Sequence, residues 1–311
     1  TDPVTFVDFS GTLASDATVA EANDSDNSGA EDKLTWFNGV WYSYRFAFPK
    51  NCDNLGSWYS SPNSATALKP ADFGITDFSD ADSEWIIDNT GSAHTYIAAD
   101  NWSPTGKVTI KSGSKLQTGN FTISVGGDVD NDGEIEFTDN GTFDANAGFL
   151  SDGTGTITFH TLAGSGGTLQ LAATDPDLGS SFTANEGTVE YDLSTGGTTQ
   201  DIDEVTYNNL TIIGSAANDV KKVNYATLDV DGDLTVTSGT LDLANSGGVS
   251  ENNTIDLEGD FSMAAGAFDP GTSDLHNVAG IWNETGGVFQ PTDGTFTFSG
   301  TGGKTIVQNA G

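Results

Sequence analysis

Thiol chemistry is almost absent from this chain: Cys52 is its one cysteine. A lone cysteine excludes an intrachain disulfide, so stability has to come from packing and hydrogen bonds. No run of about 18 apolar residues occurs, which excludes a membrane-spanning helix. No signal peptide is legible, and Thr1 reads either as a mature N-terminus left by signal cleavage or as the boundary of a fragment. Basic residues are scarce, with 10 Lys+Arg against 45 Asp+Glu and a net charge of −35. Such a surface repels nucleic acid, anionic membrane and polyanionic glycans, so neither nucleic acid binding nor membrane insertion is expected. It attracts divalent cations and keeps an extended protein in solution. No long segment with a 3.6-residue period and caps is present, so helix is expected to be minor.

Turn and strand residues fill the space left by these absences. Glycine is abundant (39 residues), proline modest (8), and Thr, Ser, Asp and Asn occupy most polar positions, a profile that suits many short strands joined by tight turns. The clearest stretch runs from Leu228 to Met263. There Leu228, Val230, Leu234, Val236, Leu241 and Leu243 alternate with polar residues, and Ile255, Leu257, Phe261 and Met263 repeat the pattern, which marks half-buried strands. The step Gly232-Asp233-Leu234 recurs as Gly259-Asp260-Phe261, and an apolar residue follows glycine again at Gly280-Ile281. The intervals are 259 − 232 = 27 and 280 − 259 = 21 residues, the scale of a stacked repeat. Alternation extends back through Val108/Ile110, Phe121/Ile123/Val125, Glu134–Phe137, Thr154–Phe159 and Thr188–Tyr191. A longer similarity links 187–203 with 294–309, an offset of 294 − 187 = 107 residues. The second copy breaks off before the counterpart of VTYNNLTIIGS is due, so a longer parent chain is expected.

Ahead of the repeats the composition changes. Residues 1–32 hold one strand candidate, Val4 to Phe9, and an acidic linker of small residues. Residues 33–100 form an aromatic-rich region in which Trp36, Phe37, Trp41, Tyr42, Tyr44, Phe46, Phe48, Trp58 and Tyr59 crowd together, with Arg45, the one arginine, among them; residues 63–92 read as loops. Two readings stay open. The aromatics are a small β-domain or a cap over the open end of the stack. Alternatively Trp36, Trp41, Tyr42, Trp58 and Tyr59 present ring faces to sugars.

The succession KVTIKSGSKL, FTISVGGDVDNDGEIEF, GTVEYDLSTGGTTQDI, YNNLTI and VDGDLTVTSGTLDL resembles the repetitive cell-surface β-helix proteins of Bacteroidetes-type bacteria. The resemblance covers about residues 100–311 and implies a secreted, surface-displayed structural or adhesive role. A row of Ig-like sandwiches would accommodate the 107-residue offset, but the 21- and 27-residue steps favour coils stacked in register. The expected fold is therefore all-β: a right-handed parallel β-solenoid over residues 101–311 with the aromatic-rich cap before it. About nine coils at roughly 4.8 Å each would make a stack about 43 Å long.

Chemistry is sparsely signalled. Counted from Asp128, carboxylates fall at positions 1, 3, 5, 9 and 12 (Asp128, Asp130, Asp132, Glu136 and Asp139), with Gly133 at 6 and Ile135 at 8. Glu134 lies between them, and the spacing is that of an EF-hand-type Ca2+ loop. The competing reading makes these acids ordinary turn residues. Paired carboxylates of a hydrolase could be drawn from Asp201/Asp203 or Asp175/Asp177, yet acids are so numerous that such pairs arise by chance. His94, His160 and His276 lack partners at ligand spacing and read as turn or packing residues. The chain is expected to be no enzyme but an extracellular rod that self-associates or builds a filament. The alternatives are a carbohydrate-binding module with a glycan ligand and, more remotely, a polysaccharide-active β-helix.

Overall fold

A computed structural model describes residues 20–21, 35–36, 39–43, 51–62, 67–73, 75–88, 95–151, 155–215, 219–244, 253–273, 275–291, 294–301 and 305–307. Within them the chain coils through about nine turns of a parallel β-solenoid with almost no helix. The strand candidate Val4 to Phe9 lies outside the described residues. Each turn contributes short strands to three faces. The first face begins with a six-stranded sheet and resumes as a five-stranded one; the second comprises two five-stranded sheets; the third is a single nine-stranded sheet.

The nine-stranded face shows why these residues stack. Its strands begin at Thr122–Val125, and inward positions align one above another: Ile123, Phe143, Leu169, Val189, Leu210, Leu234, Phe261, Trp282 and Ile306. Alternation puts Thr122 and Ser124 outside and Ile123 and Val125 in the core. Register pairs Leu234 with Phe261 and Phe261 with Trp282, so the 27- and 21-residue intervals of the sequence are single coils.

Glycine marks the corner at which the chain enters this face. Gly259 donates its N–H to Gly232 O at 3.0 Å. A Cβ on Gly259 would lie 2.2 Å from Gly232 O, and one on Gly280 would lie 1.9 Å from Gly259 O. Beside this column runs a ladder of side-chain acceptors. Asn209 Oδ1 accepts the Asp233 N–H (2.9 Å), Asp233 Oδ1 accepts the Asp260 N–H (2.9 Å), and Asp260 Oδ1 accepts the Ile281 N–H (2.7 Å). The Gly-Asp step thus combines a close approach of successive coils with a charge-assisted bond that spans them.

Two expectations are revised. The stack does not start at residue 101. Glu84–Ile87, within the stretch read as loops, pairs in parallel with both Val40–Ser43 and Lys107–Ile110. Trp41, Trp85, Val108, Val129 and Phe149 therefore form one inward column across that boundary. The 107-residue similarity does not join equivalent coils either. Thr188–Tyr191 lies on the nine-stranded face, whereas Phe296–Phe298 lies on the second face. The strands that the similarity aligns therefore lie on different faces.

Replacing Gly280 by Ala forces backbone apart between two coils. Gly280→Ala is expected to lose about 2 kcal/mol or more in urea denaturation. Gly196→Ala, where no atom lies within 4 Å but φ is +68°, should lose only about 1 kcal/mol.

Candidate functional site

The aromatic cluster is core. Trp41 and Trp58 have no exposed surface and Tyr59 retains 7%. Trp58 stacks on Trp102 (5.6 Å between centroids), meets Trp85 edge-on at 5.3 Å, and donates its indole N–H to Cys52 O at 2.9 Å. Tyr96 OH donates to Ser57 O at 2.7 Å. Trp58–Tyr59 pairs antiparallel with Val40–Ser43 and closes the first face at that end. Trp41 and Trp58 therefore cannot offer ring faces to a sugar, because the rings fill the first coils of the solenoid. Tyr42 is half-buried and sits opposite Tyr59, over whose ring Lys69 Nζ lies at 5.0 Å. Trp36 lies on the strand Thr35–Trp36, but its side chain falls outside the described residues, as do Phe37, Tyr44, Arg45, Phe46, Phe48 and His94. Burial pushes the Cys52 thiol well up, which suits packing rather than nucleophilic chemistry.

The acidic loop does not close on itself. Val129–Asn131 belongs to the first face and Glu134–Glu136 to the second, so Asp132-Gly133 turns a corner of the solenoid. Four of the carboxylates find partners in other coils. Asp130 pairs with Lys107 at 3.2 Å, while Glu134 and Glu136 both pair with Lys115 at 3.0 Å. Asp128 Oδ1 accepts the Gly148 N–H at 2.9 Å, and Asp139 Oδ1 accepts that of Asn140 at 3.0 Å. An EF-hand wraps one loop around one point, whereas these carboxylates are distributed over two strands that diverge at a corner. Among the described residues, no group of three or more His, Cys, Asp or Glu side chains converges in a way that could hold a metal ion.

The other polar candidates have local partners. His160 Nδ1 accepts the Leu162 N–H at 2.9 Å, and His276 is buried against Phe296 with ring centroids 4.5 Å apart. Asp177 Oδ1 accepts the Gly179 N–H and Asp203 Oδ2 accepts the Leu178 N–H. Burial raises the pKa of Asp203, with Asp177 and Asp175 adding to the effect.

One polar constellation was not foreseen. Tyr191 and Tyr207 are fully buried with hydroxyls 2.8 Å apart; Tyr191 OH accepts the Asp203 N–H, and Tyr207 OH donates to Asp203 O. Gln200, also buried, donates to Leu171 O and Ala173 O and accepts from Leu193 N. In the next coil Lys221 occupies the register position of Gln200 and donates to Leu193 O. Burial pushes its ammonium down from 10.5 to about 8, against the pull of Asp219 and Asp192. Nearby, burial lifts Asp192 to about 6, reinforced by Asp144 and Glu190, and Asp192 Oδ1 is buried without a hydrogen-bond partner among the described residues. Asp219, wholly buried, accepts the N–H groups of Gly197 and Ser215. The sequence signal was Lys221-Lys222 inside a strand, where alternation must turn one of the two inward.

No family model, curated protein or solved structure matches the chain.

Tyr191, Tyr207, Gln200, Asp219 and Lys221 all bond to backbone or to another interior side chain, so the arrangement organises the chain around it. Because Lys221 titrates near 8 in the folded protein and at 10.5 ordinarily, the unfolded chain holds the extra proton between these values and stability rises with pH across that window. Lys221→Met should abolish the rise; thermal melts at pH 7 and pH 10 that run parallel for the two proteins would contradict this. For the acidic loop, Ca2+ titrated into chelator-treated protein is expected to give no saturable one-site heat that Asp130→Asn removes.

Proposed function

We propose that the chain is an extracellular structural or adhesive rod without a catalytic step. The observation that carries this reading is the disposition of the outward side chains. They run in columns along the coils and bond to their neighbours: Ser124 with Asp144 at 2.7 Å, Gln170 with Glu190 at 2.9 Å, Thr254 with Thr227 at 2.9 Å and Asn277 with Asp256 at 2.8 Å. A ligand site needs groups that converge on one point, whereas these groups follow the axis. The charge of −35 and the surface-protein resemblance of residues 100–311 support secretion and display.

Self-association with a second copy belongs to the same reading. The final described coil exposes Val288 (53%), Ile306 (56%) and Val307 (41%), and residues 285–311 carry one acid, Asp293, and one base, Lys304. These apolar edge strands offer pairing to a further coil or to a second copy. At the opposite end the antiparallel strand Trp58–Tyr59 covers the first face.

Electron microscopy should show elongated particles, and sedimentation should show self-association that weakens when Val288, Ile306 and Val307 are changed to Lys. Globular particles, or saturable binding on a glycan array that Tyr42→Ala abolishes, would overturn the proposal.

A further inference from the structure

Successive coils are joined on all three faces nearly everywhere, but not at the coil of residues 172–193. On the first face the six-stranded sheet stops at Phe149–Leu150, and the next coil adds only an isolated bridge, Leu150 to Asp177. Pro176 sits beside that bridge, and without an N–H it cannot continue a ladder. The sheet resumes with Thr199–Ile202. On the second face one sheet ends at Phe182–Thr183 and the following one begins at Thr206–Tyr207. Between them Asn185 adopts φ +41° and spends its side-chain amide on Phe159 O, turning the chain out of strand geometry. Only the third face carries an unbroken ladder across the junction, from Thr188–Tyr191 to Asn209–Ile212.

Side chains replace the missing backbone bonds. Leu178 N–H donates to Asp203 Oδ2 (2.7 Å), Gln200 ties Leu171, Ala173 and Leu193, the Tyr191 and Tyr207 hydroxyls meet, and the Phe182 ring contacts Tyr207 at 6.1 Å. One backbone bond, from Asp201 N–H to Thr174 O at 2.8 Å, completes the set. In a stacked protein, cooperativity is transmitted through nearest-neighbour interfaces, and an interface that lacks two of its three ladders transmits it poorly.

We infer that the rod consists of two cooperative units that meet at this coil, residues 39–183 and 199–307, and that they open and unfold separately. The side-chain junction holds them in line while leaving each to melt on its own. This differs from the behaviour of an evenly laddered solenoid of the same length, which would lose all its coils together.

Native-state hydrogen exchange on the full chain in rising urea tests the inference. Amides of Thr122–Val125 and Thr142–Ala145 are expected to share one opening, and those of Thr227–Val230 and Leu234–Val236 a second with a different urea midpoint. Phe143→Ala should lower protection of the first group only, and Leu234→Ala of the second only. A single opening common to both groups in the unsubstituted protein overturns the inference, even if neither variant folds. So does equal loss of protection in both groups from either substitution.

Discussion

The distance between coils governs this molecule. A parallel ladder holds successive backbones roughly 4.8 Å apart, and where Gly259 and Gly280 enter the nine-stranded face a Cβ would meet the carbonyl oxygen of the coil before. Gly232, Gly259 and Gly280 are consequences of that spacing, and the Asn209–Asp233–Asp260 acceptor ladder uses the same proximity to tie each corner to the next. Once coils sit this close, inward residues must stack on their counterparts above and below. Leu234, Phe261 and Trp282 form one column for that reason, with the Phe261 and Trp282 rings 4.0 Å apart.

The same spacing makes the acidity a problem that the surface has to manage. Asp229 and Asp256 are in register on adjacent coils, well within a Debye length of about 8 Å at physiological salt, so solvent ions screen their repulsion only partly. Neutral donors flank them: Thr206 Oγ1 bonds Asp229 at 2.9 Å and Asn277 Nδ2 bonds Asp256 at 2.8 Å. Around Asp128 the same task falls to Lys107 and Lys115. Carboxylates that resemble a cation loop in one dimension are, in three, bonded to Lys107, Lys115 and the backbone amides of Gly148 and Asn140.

How much of this was legible follows from the range of each signal. The alternation and the glycine steps were readable because they report local geometry: strand pleat and corner clearance. Their 27- and 21-residue intervals are the register itself. The first coils were hidden because Trp41 and Trp85 lie in runs too short, and too interrupted, to show a period. Trp58 was ambiguous because a dense aromatic cluster looks alike in a cap and in a ligand platform, and only burial separates them. The EF-hand spacing is a count along the chain, and such a count cannot show that Asp130 and Glu134 leave a corner on different sheets. Gln200 and Lys221 were invisible as interior residues, since their burial serves backbone groups about a coil away in sequence.

The Gly-Asp corner also governs where the rod can vary. From Val230 to Leu234, from Leu257 to Phe261 and from Val278 to Trp282 the chain takes the same short path. The additional residues of the 27-residue coil enter elsewhere, between Thr240–Asp242 and Thr254–Leu257. Length is therefore free at one corner and fixed at another. A guest peptide grafted between Asp242 and Thr254 would be carried on the outside of the rod with the spacing of every coil unchanged, a natural place for such a scaffold to diversify or to be engineered for display.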